Sequence, residues 1–179
     1  MGLLRNASLI LALASLPGMA QAPEFGAHGG LNLPIGDLND AVDGRLGLTV
    51  GGHAAWYYGE GHELRTRFDL THYAGGWQPG PGGHFSKNTV QAWGLAADYL
   101  HYTEQTPRGF YLTLGLGYQW WTVDPNNGPS TSENGLAFAG GAGWRFNRTF
   151  ALEGRFTTAQ FRSQEGQGTA LQLLASLRF

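Results

Sequence analysis

Between Glu63 and Tyr73 the chain reads ELRTRFDLTHY, and its residues separate by parity. Glu63, Arg65, Arg67, Asp69, Thr71 and Tyr73 share one face of an extended strand, and Leu64, Thr66, Phe68, Leu70 and His72 share the other. Strict alternation is the signature of a strand whose faces meet different surroundings. It constrains this chain because it recurs eight times: in Glu24–Leu33, Arg45–Tyr57, Glu63–Tyr73, Thr89–Tyr102, Gly109–Trp121, Gly135–Phe146, Thr149–Phe161 and Gly168–Phe179. No segment after the N-terminus shows a helical period. The pattern is weakest in Thr89–Tyr102, where Leu100 falls on the polar side, and there Asp98 sets the parity, since a carboxylate in an apolar medium is the costlier error.

The next question is which face lies inside. The apolar parity carries fourteen large aromatics, among them Phe25, Trp56, Phe68, Trp93, Phe110, Trp120, Trp144 and Phe156. The polar parity carries His28, Asn32, Thr49, His53, Glu63, Arg65, Arg67, Asp69, Asp98, Gln119, Arg145, Glu153, Arg155, Gln172 and Ser176, interspersed with glycines. An eight-stranded barrel has little interior room. It cannot enclose the aromatics, but it can enclose glycines and a few long polar side chains. A soluble, lipocalin-like barrel would require the reverse. The expected fold is therefore all-β: an eight-stranded antiparallel up-and-down transmembrane β-barrel, polar inside and apolar toward lipid. A segment of about eleven residues, at ~3.3 Å each and tilted ~40°, rises roughly 28 Å, close to the ~25 Å apolar band of such barrels.

Composition agrees. Charged residues make up 13% of the 179 residues, about half the usual share. Mean hydropathy of −0.23 excludes a helical membrane bundle, not a barrel in which only alternate residues are apolar. A net charge of −2 indicates no nucleic-acid partner, and the absence of cysteine excludes a disulfide framework or thiolate metal site.

The N-terminus has the form of a secretory signal: Arg5, an apolar run from Ala7 to Leu16 too short to span a bilayer, then small residues. Cleavage is expected after Ala20, with Ala22 as the alternative, so residues 1–20 are the signal peptide and 21–179 the barrel domain. The connections alternate in length. Pro34–Gly44, Ala74–Asn88, Thr122–Asn134 and Arg162–Gln167 are long, and Tyr58–His62, Thr103–Arg108 and Asn147–Arg148 are short. Long loops at one end and tight turns at the other are characteristic of bacterial outer-membrane barrels, and an even strand count places both termini at the short-turn end, expected to be periplasmic.

The last residues, LQLLASLRF, place Leu171, Leu173, Ala175, Leu177 and Phe179 at every second position. This resembles the C-terminal recognition signal that outer-membrane barrels present to their assembly machinery, which reads an edge strand by adding it to its own sheet. With GLNLPIGDL after the first strand and WYYGEGHELRTRFDL across the first turn, the chain resembles the small outer-membrane β-barrel family, similar to the transmembrane domain of outer membrane protein A and the opacity-type barrels. The resemblance implies outer-membrane localisation, contact with outer-membrane lipid and lipopolysaccharide, and passage through periplasmic chaperones and the barrel assembly machinery. The peptidoglycan-binding domain that follows the barrel in some relatives is not expected.

The interior charges Glu63, Arg65, Arg67, Asp69, Asp98, Arg145, Glu153 and Arg155 are the sharpest chemical feature. Asp98 is expected beside Arg65 on the neighbouring strand, and Glu153 and Arg155 enter from across the barrel. Buried charges must pair, so a salt-bridged plug is expected, with a selectivity network as the alternative. Of the six histidines, His28 and His53 can approach each other on adjacent strands and His62 falls in a turn, but no metal-binding motif is present and neither metal nor cofactor is expected. His72 faces outward near the long-loop rim, as the histidine of a lipid-modifying barrel enzyme would. The nearest serines are Ser86 and Ser163 in the connections, so no catalytic residues are assigned. The Gly-rich GGWQPGPGGH precedes no helix and is no phosphate loop. Trp77, His84 and Phe85 are the candidate contacts for an external ligand through the surface loops. The expected function is structural, with a narrow pore for small solutes or small apolar molecules as the alternative, and a lipid-modifying enzyme third.

Overall fold

The computed structural model describes residues 22–74, 77–79, 85–125, 129–160 and 167–179. The described strands are β1 (Glu24–Ile35), β2 (Gly47–Gly59), β3 (His62–Tyr73), β4 (Trp77–Pro79), β5 (Phe85–Tyr102), β6 (Gly109–Pro125), β7 (Thr131–Arg145), β8 (Phe150–Gln160) and β9 (Gln167–Arg178). Eight of them pair antiparallel with their neighbours, and the β3–β5 and β1–β9 pairings close the barrel. Closure leaves no spanning strand with an unpaired edge, which is the condition for a sheet to cross a bilayer. The proposed signal segment, residues 1–20, lies outside the described residues.

The parity assignment holds on every spanning strand. Phe25, Leu31, Leu48, Val50, Phe68, Leu70, Trp93, Leu95, Leu112, Leu114, Leu116, Leu136, Phe138, Leu171, Leu173 and Leu177 point outward and are exposed. An apolar belt this continuous is a surface built for lipid. Leu100, on the interior parity, is fully buried against Tyr102, Tyr111 and Ala151. Large interior side chains are accommodated by glycines on the adjacent strand. A methyl group on Gly47 would lie 2.5 Å from the Tyr73 ring, and one on Gly115 2.2 Å from the Asp98 carboxylate.

Three elements depart from the expected ones. The first long connection contains a short helix, α1 (Asp37–Ala41), whose Leu38, with Val42 just beyond the helix, turns into the barrel mouth. One helical turn holds a single i, i+4 pair, too little for a period to register. The strands beside the second and third long connections run further than their alternation suggests: β5 begins at Phe85, β6 ends at Pro125, β7 begins at Thr131, and β4 pairs with β5 as a flap. These extensions lie beyond the apolar belt, where lipid no longer enforces alternation. His62, expected in a turn, opens β3, because Glu60 and Gly61 alone, both at positive φ, make the reversal from β2. That pair of conformations matches the strand twist of a two-residue hairpin.

Candidate functional site

The barrel interior is filled in layers. At the long-loop end Leu38 and Val42 pack with Tyr73, Val90 and Trp121 into an apolar cap, with small alanines beneath. The cap is anchored by the Gln167 N–H, which donates to Asp37 Oδ2 at 3.0 Å. Below it the Asn32 amide donates to the Thr49 hydroxyl, which lies 2.7 Å from that of Thr71.

The next layer joins histidine to the charges. His28 Nε2 lies 2.6 Å from Asp69 Oδ1 and its Nδ1 3.4 Å from His53 Nδ1. A coherent assignment has His28 donating to Asp69 and accepting from His53. Arg67 grips the same carboxylate, its Nε at 3.0 Å from Oδ2 and its Nη2 at 2.8 Å from Oδ1.

At mid-barrel lies the densest knot. Arg65 and Asp98 are direct partners across β3 and β5, and the guanidinium donates to the carboxylate at 2.8 and 3.2 Å. Arg155 reaches across from β8 to bind both oxygens of Asp98, at 2.9 and 3.1 Å. Glu153 accepts from Arg65 at 2.9 Å and from the Tyr111 hydroxyl at 3.0 Å. Arg67 lies 3.6 Å from Asp98, so three guanidiniums surround one carboxylate that is 0% exposed. Fork-shaped, doubly bonded pairs of this kind offset the desolvation of buried charge.

At the short-turn end Glu63 closes the stack. It accepts from Arg178 and from the Tyr102 hydroxyl, with Arg145 at 3.9 Å, and Arg145 Nε also donates to that hydroxyl at 2.9 Å. Arg178 continues to Glu24 at 3.0 Å, linking the first and last strands. Arg178, Tyr102 and Tyr111 were not singled out from the sequence, although each lies on the interior parity of its strand. In LQLLASLRF attention falls on the outward residues, and the inward Arg178 between Leu177 and Phe179 is the signal that was available. Between the layers, a cavity of about 20 Å³ lies among Asp69, Gly115, Gln119, Arg155, Thr157 and Gln172, room for roughly a single water.

The remaining candidates lie elsewhere. Trp77 and Phe85 stand in the β4–β5 flap, where Pro79 pairs with Phe85. His84 and Ser163 are outside the described residues. Leu171, Leu173, Ala175, Leu177 and Phe179 line the outward face of β9, and Phe179 is 85% exposed. His72 is exposed on the outward face of β3. Among the described residues, no group of three or more His, Asp or Glu side chains has a geometry that could hold a metal ion.

A closed eight-stranded barrel, apolar outside and ion-paired inside, matches the outer membrane protein β-barrel domain across residues 7–179. The chain belongs to that family. Among curated proteins no sequence match is found. Solved structures share the fold of this outer-membrane barrel. One is Ail, the attachment invasion locus protein of Yersinia pestis, in complex with the heparin analogue sucrose octasulfate: 10% identity, 88% of this chain and 99% of that one covered, TM-score 0.63. Neisserial surface protein A is 17% identical over 89% of this chain and 98% of its own, with a TM-score of 0.54. The N-terminal β-barrel domain of Pseudomonas aeruginosa OprF is 10% identical over 89% of this chain and all of that one, with a TM-score of 0.53. At these identities the likeness concerns the fold.

Proposed function

We propose that this outer-membrane barrel is a non-conducting envelope protein whose interior is a structural plug and whose contacts with the outside run through its long-loop end. The observation that carries this reading is the stacking of closures along one axis. The Leu38–Val42 cap, the Asp98–Glu153 knot and the Glu63–Arg178–Tyr102 layer follow one another across the lumen, and the cavity beside Asp69 and Arg155 holds about one water. A narrow pore would need these layers to part together. With both termini periplasmic, β9 presents Leu171 to Phe179 to the assembly machinery, and the belt meets phospholipid on one side and lipopolysaccharide on the other.

Single-channel recording tests the plug. Protein whose folding is confirmed by the mobility difference between unboiled and boiled samples should be silent in a planar bilayer. Reproducible openings that change with Arg67→Ala would overturn the reading and make the charges a pore lining.

Loop chemistry narrows the external partner. In the sequence, the long connections and the residue that follows the first contain Asp37, Asp40, Asp43, Asp124, Glu133 and Glu165 against Arg45, Lys87 and Arg162. An acidic excess repels polyanions. A sulfated sugar of the kind bound to Ail is therefore not the expected ligand, and a neutral or basic partner is. Saturable binding of sucrose octasulfate at physiological salt would contradict this.

A further inference from the structure

On the outward face, at the short-turn end, three polar rings interrupt the apolar belt. His62 of β3 and His101 of β5 are direct cross-strand partners, with ring centroids 5.0 Å apart. The His62 ring also stacks against Tyr99 at 5.8 Å, and its Nδ1 is hydrogen-bonded to the Tyr99 hydroxyl. With Tyr99 donating to Nδ1, the proton of the neutral His62 ring sits on Nε2 and is free to be donated outward. Beside them Leu112 and Leu114 of β6 form an aliphatic floor, and the five residues border a recess of about 360 Å³ open to the lipid side.

The recess is held in shape from below. The Tyr102 N–H donates to the Gly61 carbonyl at 2.7 Å, the Gly61 N–H donates to the Tyr57 hydroxyl at 3.0 Å, and that hydroxyl donates to the Gln105 carbonyl. Gly61 stands at φ +83°, and a methyl group there would lie 2.6 Å from the Tyr102 carbonyl, so the two turns lock together only with glycine at this point. A preformed site loses less entropy on binding. The same two turns carry Glu60 and Glu104 against Arg108, a net acidic rim that disfavours a ligand of net negative charge and favours one that ends in a cation.

A recess with an aliphatic floor and hydrogen-bond donors at its rim, opening onto a lipid-covered face, has the chemistry of a phospholipid site. We propose that His62 and His101 bind the phosphate of one zwitterionic, amine-bearing glycerophospholipid, with Tyr99 holding the His62 ring in its donating orientation and the acyl chain lying over Leu112 and Leu114. The site belongs to the leaflet at the short-turn end. It depends on membership of the outer-membrane barrel family and not on a closed lumen, so conductance and lipid retention fail independently.

Native mass spectrometry of the mature protein, refolded with phosphatidylethanolamine or with phosphatidylglycerol, tests it. The expected result is one retained phosphatidylethanolamine per barrel, held in preference to phosphatidylglycerol. The doubly substituted His62→Leu/His101→Leu protein should retain at least about tenfold less, as the loss of hydrogen bonds to a charged group predicts. Leucine suits a lipid-facing position, and gel mobility verifies folding. In the unaltered protein, ¹⁵N-histidine spectra should move for His62 and His101 on adding short-chain phosphatidylethanolamine, and not for His72 at the opposite rim. Unchanged retention in the double variant, equal or greater retention of phosphatidylglycerol, or unmoved His62 and His101 signals would each overturn the proposal.

Discussion

Asp98→Asn measures whether the barrel interior is dry. The substitution keeps the shape of the side chain and removes its charge. Asp98 is 0% exposed and accepts four hydrogen bonds of 2.8–3.2 Å from Arg65 and Arg155. Without that charge, Arg65, Arg155 and the nearby Arg67 are left around Glu153 as the remaining carboxylate of the knot. Removing one partner of a buried pair costs about 3–5 kcal/mol, because the other charges stay desolvated. The same ion pair in a water-filled channel would be worth only ~0–1 kcal/mol. Urea unfolding of the refolded protein in phospholipid vesicles, followed by tryptophan fluorescence, should show the larger loss at an unchanged denaturant slope. The charge-balanced Asp98→Asn/Arg155→Met variant should recover part of it, since the pair and not either residue alone satisfies the site. A loss below about 1 kcal/mol in a correctly folded barrel would refute the reasoning and indicate a hydrated lumen.

Other outcomes follow from the same geometry. Leu116→Arg places a charge at a lipid-facing position that is 54% exposed, and should cost ~2–4 kcal/mol in vesicle-based unfolding; a neutral effect would mean that this face of β6 does not meet the bilayer interior. Gly30→Ala sets a methyl group 1.9 Å from the Leu173 carbonyl at the β1–β9 seam, and should destabilise the barrel by about 1–3 kcal/mol in the same assay. Deleting Phe179, which projects outward from the end of β9, should slow assembly in cells with little effect on the stability of refolded protein; assembly at the normal rate would count against a terminal recognition role.

Much of this architecture was legible because alternation is a local property. The parity of a strand follows from a few consecutive residues, so Leu64, Phe68 and Leu70 could be sent to lipid, and Arg65 and Arg67 inward, without knowing what any of them touches. The Arg65–Asp98 pairing was legible for a related reason, since the lengths of the intervening segments limit the register of adjacent strands. Even the inward placement of Leu100 followed from the cost of placing Asp98 in lipid.

What escaped depends on closure. That Arg155, expected from across the barrel, takes Asp98, and that Arg178 meets Glu63, is set by a circle whose diameter and stagger all eight strands fix together. No window of sequence contains that information, and Arg178 lies 115 positions from its partner Glu63. The α1 cap escaped because a single helical turn has no period of its own; it exists because the barrel mouth offers Tyr73, Val90 and Trp121 as an apolar seat for Leu38 and Val42. The sequence by itself determined the class of fold, the two faces of the sheet and the medium each one meets, because a two-residue repeat encodes them strand by strand. The tertiary structure alone decided which interior charges pair with which, because that depends on which long side chains meet when the sheet closes on itself.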